Sequence, residues 1–362
     1  MIDNQIEMED YGYYSNEIRN DDLIPARITE VHRELYKAVC KHGEAAANTT
    51  GAFLHNAFDK SEFPAVGDFV LLKYNEYGSS GIVEVLPRKS KFSRTDFSGH
   101  AAGFVKTILE QVVAANFDYV FIMSSLNKDF NVNRIVRYLT QARQSGGIPV
   151  IILTKADLCE NWEDQVDAIR EIAKDVDIIP LSSYTGDGID KLAEYLTPGK
   201  TIVFLGMSGV GKSSLVNALA GEVLMDVKEI REEDARGRHT TTHRQLIRLS
   251  SGVMIIDTPG MRELGLWDAD EGISAVFSDV EELFYRCRFS DCTHKTEPGC
   301  AVTKALNDGT LTQERWERYL AQKRESKFVD DRTGYLNDKR ARHKTISVMS
   351  KQMKRNGGLR NG

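Results

Sequence analysis

The sequence predicts a multidomain α/β protein: an N-terminal OB-type β-barrel, a central domain on a mostly parallel sheet, and a helical C-terminal domain that binds zinc. Three observations predict it. Short alternating runs broken by turns fill the stretch from Leu23 to about Arg94. Apolar strands alternate with amphipathic helices from about Val112, and three cysteines gather around a histidine between Cys287 and Cys300. The expected division is an acidic flexible arm over 1–22, the barrel over 23–105, the central domain over 106–270 and the zinc-binding, helical region with a basic tail over 271–362.

Composition narrows the class. The 362 residues exceed one ordinary core, since domains hold roughly 100–200 residues each. With 41% hydrophobic and 28% charged residues the chain reads as soluble and globular, not disordered. No apolar run approaches the roughly 20 residues of a membrane span. The first residues lack the basic-then-apolar pattern of a secretory signal. A cytoplasmic protein without membrane contact is expected, monomeric by default.

The arm carries Asp3, Glu7, Glu9, Asp10, Glu17, Asp21 and Asp22. After it, the turn Pro64-Ala-Val-Gly-Asp68 precedes Phe69-Val-Leu-Leu72, and the turn Tyr77-Gly-Ser-Ser-Gly81 precedes Ile82-Val-Glu-Val-Leu86. Closely spaced strands of this kind suit a small barrel of the OB type. Arg88, Lys89, Lys91 and Arg94 follow; they either grip nucleic acid beside the barrel or line a plain exposed loop.

Further on, Tyr119-Val-Phe-Ile-Met123 reads as a buried strand and Val132 to Ser145 as a helix ending at Gly146-Gly147. Pro149-Val-Ile-Ile-Leu153 is a strand, Trp162 to Lys174 a helix, and Asp177-Ile-Ile-Pro-Leu181 a strand. Ile189 to Leu196 reads as a helix and Thr201-Ile-Val-Phe-Leu205 as a strand. Apolar strands separated by helices imply a parallel sheet covered on both faces. After about Glu271 the pattern is helical apart from the cysteine cluster.

The strand ending at Leu205 runs into Gly206-Met207-Ser208-Gly209-Val210-Gly211-Lys212-Ser213, and a helix opens at Ser214. That is the strand–loop–helix setting of a phosphate loop. Its glycines let backbone N–H groups turn inward around phosphates, and the helix N-terminus adds favourable partial charge. Lys212 is expected to reach the β and γ phosphates and Ser213 to ligate Mg²⁺. Downstream, Val253-Met-Ile-Ile-Asp257-Thr-Pro-Gly260 is a strand ending in an acid and a tight turn. Asp257 suits a carboxylate holding Mg²⁺ through water, and the Gly260 N–H suits a γ-phosphate contact. Between the two motifs lies Arg236-Gly-Arg-His239-Thr240-Thr241-Thr242. This polar loop matches a first switch, in which Thr241 or a neighbouring threonine completes the Mg²⁺ shell.

The base is read by Ile151-Ile-Leu-Thr154-Lys155-Ala-Asp157, a strand running into T-K-x-D. A carboxylate at Asp157 accepts two hydrogen bonds from guanine N1–H and N2; adenine offers no such pair. Lys155 lies along the base plane, and Ser182-Ser183, ending the next strand, place a backbone N–H near guanine O6. The order is rotated: base specificity precedes the phosphate loop, and the second switch comes last. Rotation preserves packing where the old termini were close in space.

Many GTPases orient the attacking water with a glutamine after the second-switch glycine. Here that position is Met261, followed by Arg262 and Glu263. Either a partner remodels the site or another group serves; His239 is the candidate, against a solvent-exposed histidine of no catalytic role. Lys212, His239 and Thr241 are thus the expected catalytic residues.

Cys287-x4-Cys292-x-His294-x5-Cys300 supplies three thiolates and an imidazole. Four protein ligands of this kind describe a closed, structural zinc site. Cys40 and Cys159 stand alone and read as small apolar residues. Beyond Asp338 there are no acids, while Lys339, Arg340, Arg342, Lys344, Lys351, Lys354, Arg355 and Arg360 accumulate. Such a tail either touches a phosphate backbone or is a solvated helix end.

Taken together, these motifs resemble the RsgA/YjeQ family, the circularly permuted GTPases of bacteria that depend on the small ribosomal subunit. The resemblance spans nearly the whole chain after the arm. It implies an OB domain, a permuted GTPase domain and a zinc domain, with GTP hydrolysis stimulated by the small subunit and coupled to release. It also implies late maturation of that subunit and contact with its rRNA. Met261 and His239 both fit the family pattern. Thr154 departs from the commoner asparagine and loses one orienting amide. The competing readings are a GTPase with another RNA or protein client, and a nucleic-acid-binding GTP sensor with little turnover.

Overall fold

Five strands close on themselves at the start of the chain. They are β1 (Ile24–His32), β2 (Leu35–Cys40), β3 (Gly43–Thr49), β4 (Phe69–Lys73) and β5 (Ser80–Val85). The ring runs β1–β2–β3–β5–β4 and back to β1, antiparallel except for the parallel β3–β5 pair. Closure removes the exposed edges an open sheet would present. Alternate residues fill the interior: Ile24, Ala26 and Ile28 from β1, Tyr36, Ala38 and Cys40 from β2, Val70 and Leu72 from β4. Cys40 is one of these apolar fillers, as its isolation predicts. The helix α1 (Gly51–Asn56) follows β3, with the Thr50 hydroxyl capping the Phe53 N–H at 3.2 Å. The computed structural model describes residues 6–14, 22–32, 35–57, 59–99, 107–127, 130–225, 244–257 and 269–326.

A hairpin follows the barrel, β6 (Lys91–Gly99) paired antiparallel with β7 (Thr107–Ala115). The division expected between 105 and 106 therefore falls between two paired strands. The polar run Lys91-Phe-Ser-Arg94 hides a strand because only Phe92 turns to the core, where it stacks on Phe117 at 4.9 Å. Gly67 lets the barrel meet β7: at φ +90° a Cβ there would lie 2.1 Å from the Ala115 carbonyl. The four cations after the barrel are engaged internally. Arg88 grips both carboxylate oxygens of buried Asp68 at 2.7 Å and donates to the Ser61 and Phe63 carbonyls. Lys89 pairs with Asp118, Lys91 with Glu110, and Arg94 donates to Gln111. Arg88 at least is a structural brace, which corrects the nucleic-acid reading for that residue.

The central sheet contains β8 (Tyr119–Ser125), β9 (Ile148–Thr154), β10 (Asp177–Pro180), β11 (Thr201–Gly206), β12 (Gln245–Arg248) and β13 (Met254–Asp257). Their spatial order is β10–β9–β8–β11–β13–β12, parallel throughout except for antiparallel β12. Val150 to Leu153 are buried in succession, as a strand covered on both faces requires. The covering helices are α2 (Val132–Gln144), α3 (Trp162–Arg170) and α4 (Lys212–Ala220). Here α3 stops four residues short of the expected Lys174, because the chain turns so that Ala173 and Val176 enter the core. The helix expected over 189–196 is a 3-10 turn at Asp190–Tyr195, wound by i to i+3 bonds such as Leu192 N–H to the Ile189 carbonyl.

Barrel and sheet join where β12 lies antiparallel to β1 at Gln245 and Glu30. Beside this seam Arg27 is buried. Its guanidinium donates to the Tyr11 carbonyl at 2.6 Å, the Asn116 carbonyl at 3.0 Å, the Thr201 hydroxyl at 2.9 Å and the Gly67 carbonyl at 3.3 Å. Burial pulls its pKa down to about 10, with Asp118 and Asp68 opposing, so it stays charged at neutral pH. Residues 6–14 depart from the flexible arm expected there. Met8 and Tyr13 are buried, and the Tyr13 ring meets Phe69 at 5.3 Å. The acidic run conceals these two anchors.

The remaining helices are α5 (Asp270–Val276), α6 (Ser278–Phe284), α7 (Ala301–Asp308) and α8 over 313–326. They return to α2: Thr140 donates to Gln322 at 2.6 Å, and Arg137 pairs with Glu325 at 2.7 Å. Gly272 of α5 sits so close to α2 that a Cβ would lie 2.4 Å from the Thr140 carbonyl. No helix among the described residues is long and apolar enough to cross a membrane. The basic tail from Lys339 onward lies outside the described residues.

Candidate nucleotide site and metal centre

Adjacent parallel strands deliver the phosphate-site residues to one edge of the sheet. β11 ends at Gly206 and opens the loop Met207–Gly211, and β13, its neighbour, ends at Asp257. Ligands of open α/β sheets bind beyond the carboxyl ends of the strands. Gly209 and Gly211 take φ of +74° and +100°, left-handed values that glycine adopts without a Cβ penalty, as the turns of an anion-binding loop require. Lys212, Ser213 and Ser214 form the first turn of α4, where orphan N–H groups and the helix dipole favour an anion. Lys212 Nζ lies 3.0 Å from Asp257 Oδ1. That carboxylate is buried, and its Oδ1 has no aligned hydrogen bond. A buried carboxylate oxygen of this kind fits a hydrated cation beside the phosphates. His239, Thr241, Gly260 and Met261 lie outside the described residues.

The turn expected to read the base, Thr154 to Asp157, is fastened to this loop. Thr154, the last residue of β9, is buried and donates its hydroxyl to the Val210 carbonyl at 2.5 Å. Lys155 takes a left-handed φ of +62° and donates Nζ to the Gly209 carbonyl at 3.0 Å. Its aliphatic stem therefore runs along the phosphate loop. Asp157 follows in an exposed 3-10 turn, Ala156–Leu158. The Ala156 N–H donates to the Leu181 carbonyl at 3.2 Å, which brings in the loop after β10. In that loop Ser182 is spent internally. Its hydroxyl accepts from the Tyr184 and Thr185 N–H groups, and its own N–H donates to the Asp187 carbonyl. The structure thus gathers Thr154, Lys155, Asp157, Ser182, Ser183, Gly206 to Ser214 and Asp257 at one edge.

The second cluster forms between α6 and α7. One ligand atom from each of Cys287, Cys292, His294 and Cys300 lies within 4.8 Å of the others. His294 Nδ1 is 3.6 Å from Cys287 Sγ and 3.7 Å from Cys300 Sγ. A tetrahedron with Zn–S of about 2.3 Å and Zn–N of about 2.0 Å has S···N edges of about 3.5 Å. The donor set fits. Cys300 caps α7, accepting from the Thr303 N–H, and Cys287 accepts from the Ala301 N–H, both at 3.4 Å. Burial raises the Cys300 thiol, but Thr303 and His294 more than offset it and bring its pKa down to about 6.

Sequence reasoning missed the supports of this centre. Glu297 accepts the N–H groups of Thr293, Lys295 and Thr296, fixing the loop in which His294 takes a φ of +61°. The Thr293 hydroxyl, which also donates to it, and these N–H groups hold its carboxyl far below the usual carboxylate range. Phe284 stacks on the His294 ring at 4.2 Å, with Trp316 of α8 edge-on at 6.1 Å. No local pattern announces either partner, since the contact spans separate elements.

A family model described as RsgA GTPase matches residues 85–267. A model described as ABC transporter matches 189–356, a stretch that includes the phosphate loop but leaves out Thr154 to Asp157. The chain is 43% identical over 310 residues to small ribosomal subunit biogenesis GTPase RsgA 2 of Lactiplantibacillus plantarum, covering 86% of this chain and 85% of that one. It is 38% identical over 356 residues to the protein of the same name in Vibrio parahaemolyticus, covering 97% and 91%. Among solved structures, YjeQ from Thermotoga maritima superposes with a TM-score of 0.59 at 27% identity, covering 83% of this chain and 96% of that one. YloQ, described as a circularly permuted GTPase, superposes with a TM-score of 0.56 at 25% identity, covering 88% and 99%.

Proposed function

The chain belongs to the RsgA GTPase family, and on that premise we propose that it acts late in assembly of the small ribosomal subunit, binds its rRNA, and leaves as GTP is hydrolysed. It is a GTP-hydrolysing enzyme of small-subunit biogenesis. One observation carries the guanine-nucleotide reading. Thr154 and Lys155 of the base-reading motif are hydrogen-bonded to the Val210 and Gly209 carbonyls of the phosphate loop. Base and phosphate subsites are therefore held at a fixed spacing, as one nucleotide requires.

The roles follow from chemistry. Asp157 accepts from guanine N1–H and N2, and Lys155 lies along the base. Since the Ser182 N–H is taken by Asp187, Ser183 is the serine assigned to guanine O6. Backbone N–H groups from Gly206 to Ser214 cradle the phosphates, and Lys212 neutralises the β and γ groups. Magnesium bound with GTP would add charge stabilisation there; Ser213 and Thr241 would hold it directly and Asp257 through water. Gly260 meets the γ-phosphate, and His239 orients the attacking water in place of the glutamine that Met261 replaces. Cys287, Cys292, His294 and Cys300 hold one structural zinc, closed to substrate. The basic residues after Asp338 meet rRNA phosphates, and the protein works as a cytoplasmic monomer.

Turnover of GTP by the purified chain, alone and with small or large subunits, tests the assignment. Stimulation by the small subunit only is expected. Tight GTP binding without stimulation by either would move the client elsewhere.

A further inference from the structure

The loop after β10 holds a large aromatic ring in solvent beside the base-reading turn. Its backbone has little freedom. The Ser182 hydroxyl accepts the Tyr184 and Thr185 N–H groups at 3.2 Å each, and the Ser182 carbonyl accepts the Gly186 N–H at 2.9 Å. The Ser182 N–H donates to the Asp187 carbonyl at 2.9 Å, and the Thr185 hydroxyl to the Asp187 carboxylate at 2.7 Å. The loop is also bonded to its neighbour, since the Leu181 carbonyl accepts the Ala156 N–H one residue before Asp157. On this fixed frame Tyr184 is 93% exposed, and Leu158, next to Asp157, is 69% exposed. Two large exposed side chains are thus carried on segments joined by a backbone hydrogen bond, one of them adjacent in sequence to Asp157.

An aromatic ring exposed to water gains by covering another flat apolar surface. A purine base offers such a face, and tyrosine rings serve as stacking platforms for bases generally. We infer that Tyr184 is a base-stacking residue of this nucleotide site, its ring covering one face of the purine whose edge Asp157 reads. The inference rests on the guanine-nucleotide reading above and adds a residue to it. A ring face has no donors or acceptors matched to the guanine edge. Tyr184 therefore adds affinity, and the choice of base stays with Asp157. Because GTP and GDP carry the same base, the ring strengthens both equally and leaves their ratio unchanged.

Titration of GDP and GTP onto the full chain and three variants tests this. Tyr184→Ala should weaken both nucleotides equally, on the order of tenfold. Tyr184→Phe, which keeps the ring, should stay within about twofold of the parent. Asp157→Asn should lose guanine nucleotides and gain xanthine nucleotides, reporting on the pocket independently of the ring. Parent affinity in Tyr184→Ala, with GDP binding lost in Asp157→Asn, would overturn the stacking role and leave the nucleotide site standing. Equal weakening by Phe and Ala would also overturn it, since the hydroxyl and not the ring would then be responsible. Failure of the parent chain to bind GDP at all would remove the guanine-nucleotide reading and this inference with it. Thermal melting of each variant checks that the fold is retained.

Discussion

The Thr154 hydroxyl and the Val210 carbonyl are hydrogen-bonded at 2.5 Å, so the last residue of one strand is fastened to the middle of the phosphate loop. The two residues are far apart in sequence and belong to motifs that appear in rotated order. The bond explains how threonine serves where asparagine is commoner: one hydroxyl donor suffices for the loop carbonyl.

Replacing Thr154 by valine keeps the shape and removes the donor. The buried Val210 carbonyl then lacks its partner, at a cost of about 1 kcal/mol, or on the order of fivefold in Kd for GDP. Asparagine at 154 should restore binding. Calorimetric titration with GDP reads the result, and unchanged affinity in the valine variant would show that the loop is held by other means.

Arg27 should matter for stability and not for chemistry. Arg27→Met strands the Tyr11 and Asn116 carbonyls and the Thr201 hydroxyl, and each buried acceptor left unpaired costs about 1–3 kcal/mol. Arg27→Lys should not rescue it, because an ammonium lacks the planar fork that reaches several acceptors at once. Melting temperatures of both variants should fall well below the parent; a parent-like value for either would dismiss the seam as a source of stability.

The metal centre predicts a coupled loss. Cys292→Ser should abolish stoichiometric zinc and expose α7 and α8 to hydrogen exchange, since the ligands fold only with their metal. Elemental analysis with exchange mass spectrometry measures both. A protected C-terminal region in a parent chain containing no zinc would refute the structural site.

His239→Ala should lower single-turnover GTP hydrolysis by on the order of a hundredfold or more while leaving GTP affinity near the parent value. Equal turnover in parent and variant, with small subunits present, would remove His239 from the mechanism.

Much was written locally in the chain. The apolar run Val150 to Leu153, the glycines around Val210 and the cysteine spacing each declare themselves within a few residues, because strand burial, phosphate cradling and tetrahedral ligation depend on neighbours in sequence. That sufficed for the barrel, the parallel sheet and the gathering of Cys287, Cys292, His294 and Cys300. Other features needed the folded chain. The polarity of β6 hid its pairing with β7, and the acids of the first segment hid the burial of Met8 and Tyr13. Arg88 reads as an exposed cation until Asp68 is placed against it. The place of Arg27 is set only where the barrel, the first segment and the central sheet converge on its guanidinium. Such roles are set by contacts between residues far apart in the chain, and only tertiary packing decides which distant acceptor a buried donor meets.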